Sequence, residues 1–357
     1  MVSTVFVLGA GASAESGVPL MSQFLDAAHD LMTQNTTDAD AAAFKEVFEA
    51  LAVLPRAHSK AVLDVDNVES AFSAFEMARV IRVFGDWDAR RIDALELAMR
   101  QVIAKTIERT LQLPVRDDAV HAPKPYEEFA DLVARLQKQP YAHDVTVITF
   151  NYDLACDFAF TQASLVPLYR INDSEPTSGT PLLKLHGSVN WGVCEVCKQI
   201  VPWRLHDYFK THAWRNLDLV KSARLTLYSN MHTFSHCEKV VSGPTLVPPT
   251  WGKTSQHLNL WRVWHSAARA LQMAENIFVI GYSLPESDAF FKYLYALGTI
   301  GAARIRRFWV VNPDPQVGNR FKALLGQSVL PRFQNFQETF ATGLRNMFEN
   351  VFPTRAA

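Results

Sequence analysis

Short apolar runs that end in polar or glycine-bearing loops recur along the chain and predict buried β-strands. The first run, residues 5–8 (Val-Phe-Val-Leu), starts almost at Met1 and is apolar throughout, as expected of a parallel strand covered on both faces. Four later runs are mostly apolar: residues 145–150, 182–185, 277–280 and 307–311. All but residues 182–185 (Leu-Leu-Lys-Leu) are rich in β-branched or aromatic residues. Strands that each end in such a loop predict an open α/β sheet with a ligand crevice along one edge.

The segment between the first two strands follows a helical period instead. Apolar residues recur every three or four positions over residues 41–54, 67–84, 89–113 and 126–139. Asn67 is the predicted N-terminal cap of the second of these helices. A segment this long exceeds a simple crossover, so we interpret residues 20–140 as a helical insertion. It either covers the sheet and the crevice as a bundle or presents a surface to a partner or a second copy.

Two further segments complete the predicted architecture. A helix is predicted near residues 255–275, with Trp261 and Trp264 on a face that we expect to pack against the sheet, in the core. Residues 190–245 are irregular and contain cysteine and histidine, which indicates a second, smaller insertion. We therefore predict a single α/β domain over residues 1–357, with a Rossmann-like open parallel sheet and two insertions.

Composition narrows the function classes. The 357 residues are 48% hydrophobic and 20% charged, which is ordinary globular composition and excludes disordered and fibrous classes. Lys and Arg (35) nearly balance Asp and Glu (36), so no global field attracts a polyanion, and we expect no direct nucleic-acid binding. The start of the chain lacks the pattern of a signal peptide, and we expect no membrane association. Four cysteines, two of them a close pair, favour a reduced, cytoplasmic protein.

The first strand is followed by a glycine turn. Gly9 and Gly11 stand between a strand and a helix, where such a turn lets the backbone approach a diphosphate. The third position of the dinucleotide-binding fingerprint is Ala14 rather than glycine, and no acidic residue follows at the spacing of a ribose clamp. A tight turn without a ligand is therefore the alternative.

Six short motifs, in the same order along the chain, resemble those of the sirtuin family. Residues 9–13 (Gly-Ala-Gly-Ala-Ser) and 16–19 (Ser-Gly-Val-Pro) resemble its opening motif, and residues 149–153 (Thr-Phe-Asn-Tyr-Asp) its Thr-Gln-Asn-Ile-Asp loop. The other matches are residues 186–187 (His-Gly), the Cys-x-x-Cys at 194–197, residues 281–283 (Gly-Tyr-Ser) and residues 311–312 (Val-Asn). The resemblance thus spans residues 9–314 and implies a sirtuin-like fold.

Departures from the family pattern point to one branch. Residues 19–21 are Pro-Leu-Met where protein deacylases have Pro-Asp-Phe-Arg, and Phe150 replaces the glutamine of the asparagine loop. The Phe-Gly-Glu strand that clamps an acyl-lysine peptide has no counterpart; residues 246–251 stand near its place. The chain resembles the bacterial sirtuin-like proteins known as NAD⁺ hydrolases in anti-phage defence.

The resemblance implies a substrate, NAD⁺, and a role for each matched residue. His186 is the base that acts on the ribose hydroxyls or on water, a task that suits imidazole because its ordinary pKa is about 6.5. Asn151 orients the ribose and the attacking water, and Asp153 binds the nicotinamide carboxamide. The residues that hold the diphosphate and the adenosine side are Gly9, Ala10, Gly11, Ser13, Gly281, Ser283 and Asn312.

The Cys-x-x-Cys pair has the spacing of a zinc knuckle. Only Cys237 lies near Cys194 and Cys197 in sequence, and His232 and His236 flank it. We predict a structural Zn²⁺ site of Cys194, Cys197, Cys237 and His236; a degenerate ribbon with packed thiols is the alternative.

We expect an NAD⁺ glycohydrolase that is kept inactive until oligomerisation or a separately encoded sensor protein releases it. A NAD-dependent lysine deacylase and a non-catalytic subunit that binds NAD or ADP-ribose are the alternatives. Nicotinamide release without an acyl peptide separates the first two, and binding without turnover identifies the third.

Overall fold

A parallel β-sheet forms the centre of the molecule, which is described by a computed structural model over residues 2–34, 38–57, 63–138, 143–173, 175–247, 259–285, 288–301 and 303–351. The strands in these residues are β1 (Ser3–Leu8), β2 (Leu113–Arg116), β3 (Ala119–Val120), β4 (Asp144–Thr149), β5 (Pro167–Leu168), β6 (Thr180–Lys184), β7 (Gly187–Ser188), β8 (Trp191–Val193), β9 (Ile200–Pro202), β10 (Ser222–Ala223), β11 (Ser235–His236), β12 (Lys239–Val240), β13 (Thr245–Leu246), β14 (Asn276–Ile280), β15 (Arg307–Val311) and β16 (Phe333–Phe336).

Helices surround the sheet. Those in the described residues are α1 (Ala10–Ala14), α2 (Phe24–Thr33), α3 (Asp38–Leu51), α4 (Val68–Ile81), α5 (Ala89–Thr110), α6 (Lys124–Lys138), α7 (Ala155–Gln162), α8 (Leu205–Tyr208), α9 (Trp261–Met273), α10 (Ala289–Gly298), α11 (Pro315–Leu324) and α12 (Phe340–Val351). None of the helices in this described part of the chain combines the length and the apolarity needed to cross a bilayer.

The main sheet has seven parallel strands in the order β16-β15-β14-β1-β4-β6-β5. The apolar residues of β1, Val5 to Leu8, are fully buried, as the first apolar run predicts. Strands β4, β5 and β6 lie on one side of β1, and the later strands β14, β15 and β16 lie on its other side. The strand order therefore reverses between β1 and β14. Loops diverge at such a switch point and leave a crevice at the carboxyl ends of the strands. The predicted open parallel α/β sheet is confirmed, with β5 and β16 as short additions at its edges.

The segment between β1 and β4 is mostly helical but not wholly so. It contains α2 to α6, and Asn67 caps α4 as expected, because its Oδ1 accepts a hydrogen bond from the Glu69 amide at 2.8 Å. It also contains the antiparallel hairpin β2–β3, which the helical period did not predict. Asp117 and Asp118 form its two-residue loop with φ of 50° and 56°, the left-handed conformations that such a hairpin turn needs.

The helix predicted near residues 255–275 is α9; residues 255–258 lie outside the described residues. Val263, Ala267 and Leu271 form its buried face. Trp261 is 54% exposed, so the expectation that it lies in the core is wrong. Two helical positions correspond to a rotation of about 200°, and this places Trp261 on the side of α9 opposite Val263.

Two small hairpins make up much of the predicted Cys/His-bearing insertion. Strands β8 and β9 pair antiparallel around residues 194–199, and β11 and β12 pair around residues 237–238. Backbone hydrogen bonds between Val193 and Ser242 join the two hairpins. The turns of both hairpins contain left-handed residues: Lys198 (φ 59°), Cys237 (φ 52°) and Glu238 (φ 62°).

Candidate active-site cleft

The loops that follow β1, β4, β6, β14 and β15 line one cleft of about 530 Å³, a volume in the usual range for ligand sites. Asn151 and His186 follow the adjacent parallel strands β4 and β6, and the structure brings both to this cleft. The other predicted residues on its lining are Ala10, Gly11, Asp153, Gly281, Ser283 and Asn312. Gly9 and Ser13 lie behind the lining, where both are buried.

The two loops at the switch point touch through their backbones. A β-carbon on Gly9 would lie 2.4 Å from the Cα atom of Tyr282, and one on Gly11 would lie 2.9 Å from that of Gly281. Gly281 itself has a φ of 65°, and its β-carbon would lie 2.2 Å from the amide nitrogen of Ala12. Only glycine fits such close backbone approaches, so these three residues allow the two loops to meet beside the cleft.

A buried polar network holds the Asn151 side chain. Its Nδ2 donates to the Gly9 carbonyl oxygen at 2.9 Å and to the Ser13 hydroxyl at 3.0 Å. A carbonyl oxygen can only accept, so the amide group must face Gly9. This orientation leaves the carboxamide oxygen of Asn151 for a ligand in the cleft.

Asp153 belongs to the same network. Its carboxylate accepts hydrogen bonds from the Ser13 hydroxyl at 2.7 Å and from the Ala155 amide at 2.9 Å. Burial raises the pKa of Asp153, while the Lys184 charge and these hydrogen bonds oppose the shift.

Lys184 of β6 holds the loop that follows β4. Its side chain is 1% exposed and donates to the Asp153 carbonyl oxygen at 2.6 Å and to the Asp157 carboxylate at 2.9 Å. Asp157 also accepts a 2.6 Å hydrogen bond from the Tyr169 hydroxyl. A buried lysine that meets both a carboxylate and a carbonyl fixes the loop that carries Asn151 and Asp153.

Tyr126 reaches the network from α6, and sequence reasoning missed it. Its hydroxyl lies 2.7 Å from the Ser13 hydroxyl and 3.4 Å from Nδ2 of Asn151. Burial, followed by the Asp153 charge, raises the pKa of Tyr126 well above its ordinary value, so the phenol remains protonated. In the sequence Tyr126 is one apolar position of a helical period, and nothing local marks it as a site residue.

His186 is surrounded by aromatic rings and faces a carboxylate. It is 4% exposed, and its ring centroid lies 5.1 Å from that of Phe150 and 6.2 Å from that of Tyr152. Its Nε2 lies 3.8 Å from the Asp288 carboxylate, a residue that the motifs did not identify. Asp288 accepts a 2.7 Å hydrogen bond from the Tyr282 hydroxyl, and Tyr282 stacks on Phe150 at 4.2 Å.

The opposite end of the cleft carries an arginine. Arg320 of α11 donates to the Ser283 carbonyl at 2.7 Å and pairs with Asp314 at 3.2 Å. Asn312 accepts a 3.0 Å hydrogen bond from the Asp314 amide and so shapes its own loop. The sequence has no acidic residue at the spacing of a ribose clamp after the glycine turn. The acidic residue Asp314, which follows β15, lies on the cleft lining.

The two small hairpins bring together four potential metal ligands. The side-chain donor atoms of Cys194, Cys197, His236 and Cys237 all lie within 4.8 Å of one another. Nδ1 of His236 lies 3.6 Å from Sγ of Cys197 and 3.3 Å from Sγ of Cys237. Tetrahedral zinc with ordinary bond lengths separates nitrogen and sulfur ligands by about 3.6 Å. Donor chemistry and spacing therefore fit zinc.

Comparisons with known proteins give a distant structural similarity. No protein-family model and no curated protein matches the sequence. Among solved structures, a Sir2 homologue in complex with NAD superposes with a TM-score of 0.39 at 17% identity, over 98% of this chain and 88% of that one. A mutant Sir2 homologue in complex with ADP-ribose gives a TM-score of 0.40 at 16% identity, over 96% and 89%. A structure titled for sirtuin substrate affinity gives 0.41 at 14% identity, over 98% and 94%.

Proposed function

We propose that this protein is an NAD⁺ glycohydrolase. The observation that carries the proposal is that Asn151 and His186, from adjacent strands, line one cleft beside a tight glycine turn. Such a turn suits a dinucleotide, and an imidazole with a carboxamide suits chemistry on a sugar carbon. The six ordered motifs support the same substrate.

The proposed reaction breaks the bond between the ribose C1′ and the nicotinamide nitrogen. Water supplies the oxygen that bonds to C1′, the electron pair of the broken bond goes to nicotinamide, and the proton of water goes to His186. The products are nicotinamide, ADP-ribose and a proton. The carboxamide oxygen of Asn151 orients the ribose and the water, because its amide group is already bound to Gly9 and Ser13.

The rest of the cleft binds the two ends of the dinucleotide. Asp153 is proposed to meet the nicotinamide carboxamide; its bonds to Ser13 and Ala155 fix its position. Ala10 and Gly11 lie against the diphosphate, and Ser283 and Asn312 against the adenosine side. Ser13 acts from behind the lining by holding Asn151 and Asp153, and Gly9 by letting the loops approach.

Lysine deacylation is the second candidate, and one feature favours it. Strand β13 pairs antiparallel with β7, directly after His186, and the His186 carbonyl accepts a hydrogen bond from the Val247 amide at 2.8 Å. Short strands beside a site can pair with an extended peptide. Residues 248–251, which stand near the place of the family's peptide-clamping strand, lie outside the described residues.

We further propose that the Cys194, Cys197, His236 and Cys237 cluster holds a structural Zn²⁺. Zinc would cross-link the two hairpins, and the proposed chemistry requires no step at the metal.

The biological role proposed from the resemblance is anti-phage defence in the cytoplasm by NAD⁺ depletion. A separately encoded sensor or self-assembly would release the activity.

Product analysis tests the proposal. Purified protein is incubated with NAD⁺, with and without an acyl-lysine peptide, and nicotinamide, ADP-ribose and acyl-ADP-ribose are separated by chromatography. Nicotinamide and ADP-ribose without peptide support the hydrolase. Release that requires the peptide identifies a deacylase. Binding without any product, after long incubation at high protein concentration and with candidate partners added, identifies a non-catalytic subunit. Phage challenge of cells expressing the wild type or His186→Ala, with NAD⁺ measured after infection, tests the defence role.

A further inference from the structure

A buried carboxylate beside the proposed base has no role in the motifs described above. Asp288 is 1% exposed, and its Oδ2 lies 3.8 Å from Nε2 of His186. It stands at the N-terminal cap position of α10, yet no side-chain cap hydrogen bond is present there within the described residues. Helix capping therefore does not account for this buried charge.

The surroundings fix where the carboxylate points. The Tyr282 hydroxyl donates to Oδ2 of Asp288 at 2.7 Å. Burial, followed by the Asp288 charge, raises the pKa of Tyr282 well above its ordinary value, so the phenol stays a donor. The Tyr282 ring is held in turn by stacking on Phe150, which packs edge-on against His186.

We propose that Asp288 is a positioning residue for His186: it orients the imidazole and favours its protonated form. A carboxylate within about 4–6 Å of an imidazole stabilises the imidazolium. Proton uptake by His186 during nucleophile activation is then supported by a charge already in place, and this holds whichever ring nitrogen takes the proton. This role deepens the proposed hydrolase, and it rests on His186 being the base.

Several other ionisable side chains of the described residues lie on the elements around His186. Glu69 of α4 lines the same cleft and supplies a second negative charge. The Tyr152 phenol, after β4, has its pKa raised well above the ordinary value by burial and then by the charges of Glu69 and Asp288. Asp153, also after β4, is bound to Ser13, and Lys184 of β6 is bound to Asp157. Arg320 lies at the other end, bound to Asp314. The Asp288 carboxylate faces the imidazole directly, at 3.8 Å from Nε2.

Nuclear magnetic resonance titration of isotope-labelled histidine tests the proposal without requiring turnover. The chain has 11 histidines, and the His186 signal is identified by its loss in His186→Ala. We expect Asp288→Asn to lower the imidazole pKa of His186 by about one unit or more. Asp314→Asn, a cleft carboxylate beside Arg320, is the matched control and should leave that pKa unchanged.

An unchanged His186 pKa in folded Asp288→Asn overturns the proposal. Tyr282→Phe keeps the Asp288 charge but removes the hydrogen bond that orients its carboxylate, so we expect a smaller decrease in the His186 pKa. This variant replaces Asp288→Asn in the test if Asp288→Asn fails to fold. Where hydrolysis is measurable, its rate should fall at acid pH as His186 becomes protonated. In Asp288→Asn this fall should occur at a lower pH than in the wild type. Absence of hydrolysis at high protein concentration and with candidate activator proteins added would refute the proposed function and leave the titration result standing.

Discussion

The Ser13 hydroxyl donates a 2.7 Å hydrogen bond to the Asp153 carboxylate, which joins the glycine turn after β1 to the loop after β4. Asn151 bonds to the same hydroxyl, so buried hydrogen bonds link the two loops. From its motif, Ser13 is expected to hold a diphosphate. Its hydroxyl bonds to Asp153 and Asn151, two residues that line the cleft, and contact with a diphosphate stays a prediction.

Tyr126→Phe tests whether α6 takes part in the site. The variant keeps the ring, which packs 5.2 Å from Phe340 of α12, and removes the hydroxyl that bonds to Ser13. We expect stability to fall by about 1 kcal/mol and kcat to fall about tenfold or more, because the Ser13 hydroxyl and the Asn151 amide each lose a partner and are held less rigidly. Steady-state kinetics with NAD⁺ check this. A normal kcat in Tyr126→Phe would exclude Tyr126 from the site.

Lys184→Met should destabilise the fold strongly. It leaves the Asp157 charge buried beside Tyr169 and removes the donor to the Asp153 carbonyl. Breaking a buried pair in this way costs about 3–5 kcal/mol. Lys210→Met is the control, since its pair with Asp207 is exposed and worth about 1 kcal/mol or less. Urea unfolding compares them; equal midpoints would contradict the buried pair.

Zinc analysis tests the four-residue cluster. We expect about one Zn²⁺ per chain in the wild type and loss of the metal in Cys194→Ser, Cys237→Ser and His236→Ala. Cys156→Ala is the matched cysteine control, because Cys156 lies in α7, away from the hairpins. Chelation should lower the melting temperature of the wild type. Retention of zinc by all three variants would place the metal elsewhere.

His143 should contribute a pH dependence to stability. Its pKa is lowered, chiefly by burial, and its Nδ1 lies 3.0 Å from the Thr4 hydroxyl. The unfolded chain therefore takes up the proton first as pH falls below about 6.5. Stability is then complete above that pH and decreases below it. Urea unfolding of the wild type and His143→Gln at pH 5 and pH 7.5 checks the sign. The wild type should lose more stability than the variant at the lower pH, and an equal loss contradicts this assignment.

The sequence predicts the strands and most of the cleft because both depend on local signals. Apolar runs identify the central strands, and the residues directly after each strand must meet at one edge of a parallel sheet. The placement of Asn151 and His186 at this edge of the sheet can therefore be predicted.

Tyr126 and Asp288 could not be predicted, because they come from helices whose placement depends on tertiary packing. The buried face of α9 is similar: the apolar period allowed Trp261 on either side, and contacts with the sheet selected Val263, Ala267 and Leu271.

The most direct test of the central claim is to incubate NAD⁺ with the purified protein and to separate the products by chromatography. The protein is used at high concentration and with candidate sensor proteins added. Nicotinamide and ADP-ribose should form without acyl peptide. His186→Ala should reduce their formation by about a hundredfold or more, and Asn151→Ala should do the same, while both variants remain folded. Undiminished hydrolysis in folded His186→Ala and Asn151→Ala would contradict the account.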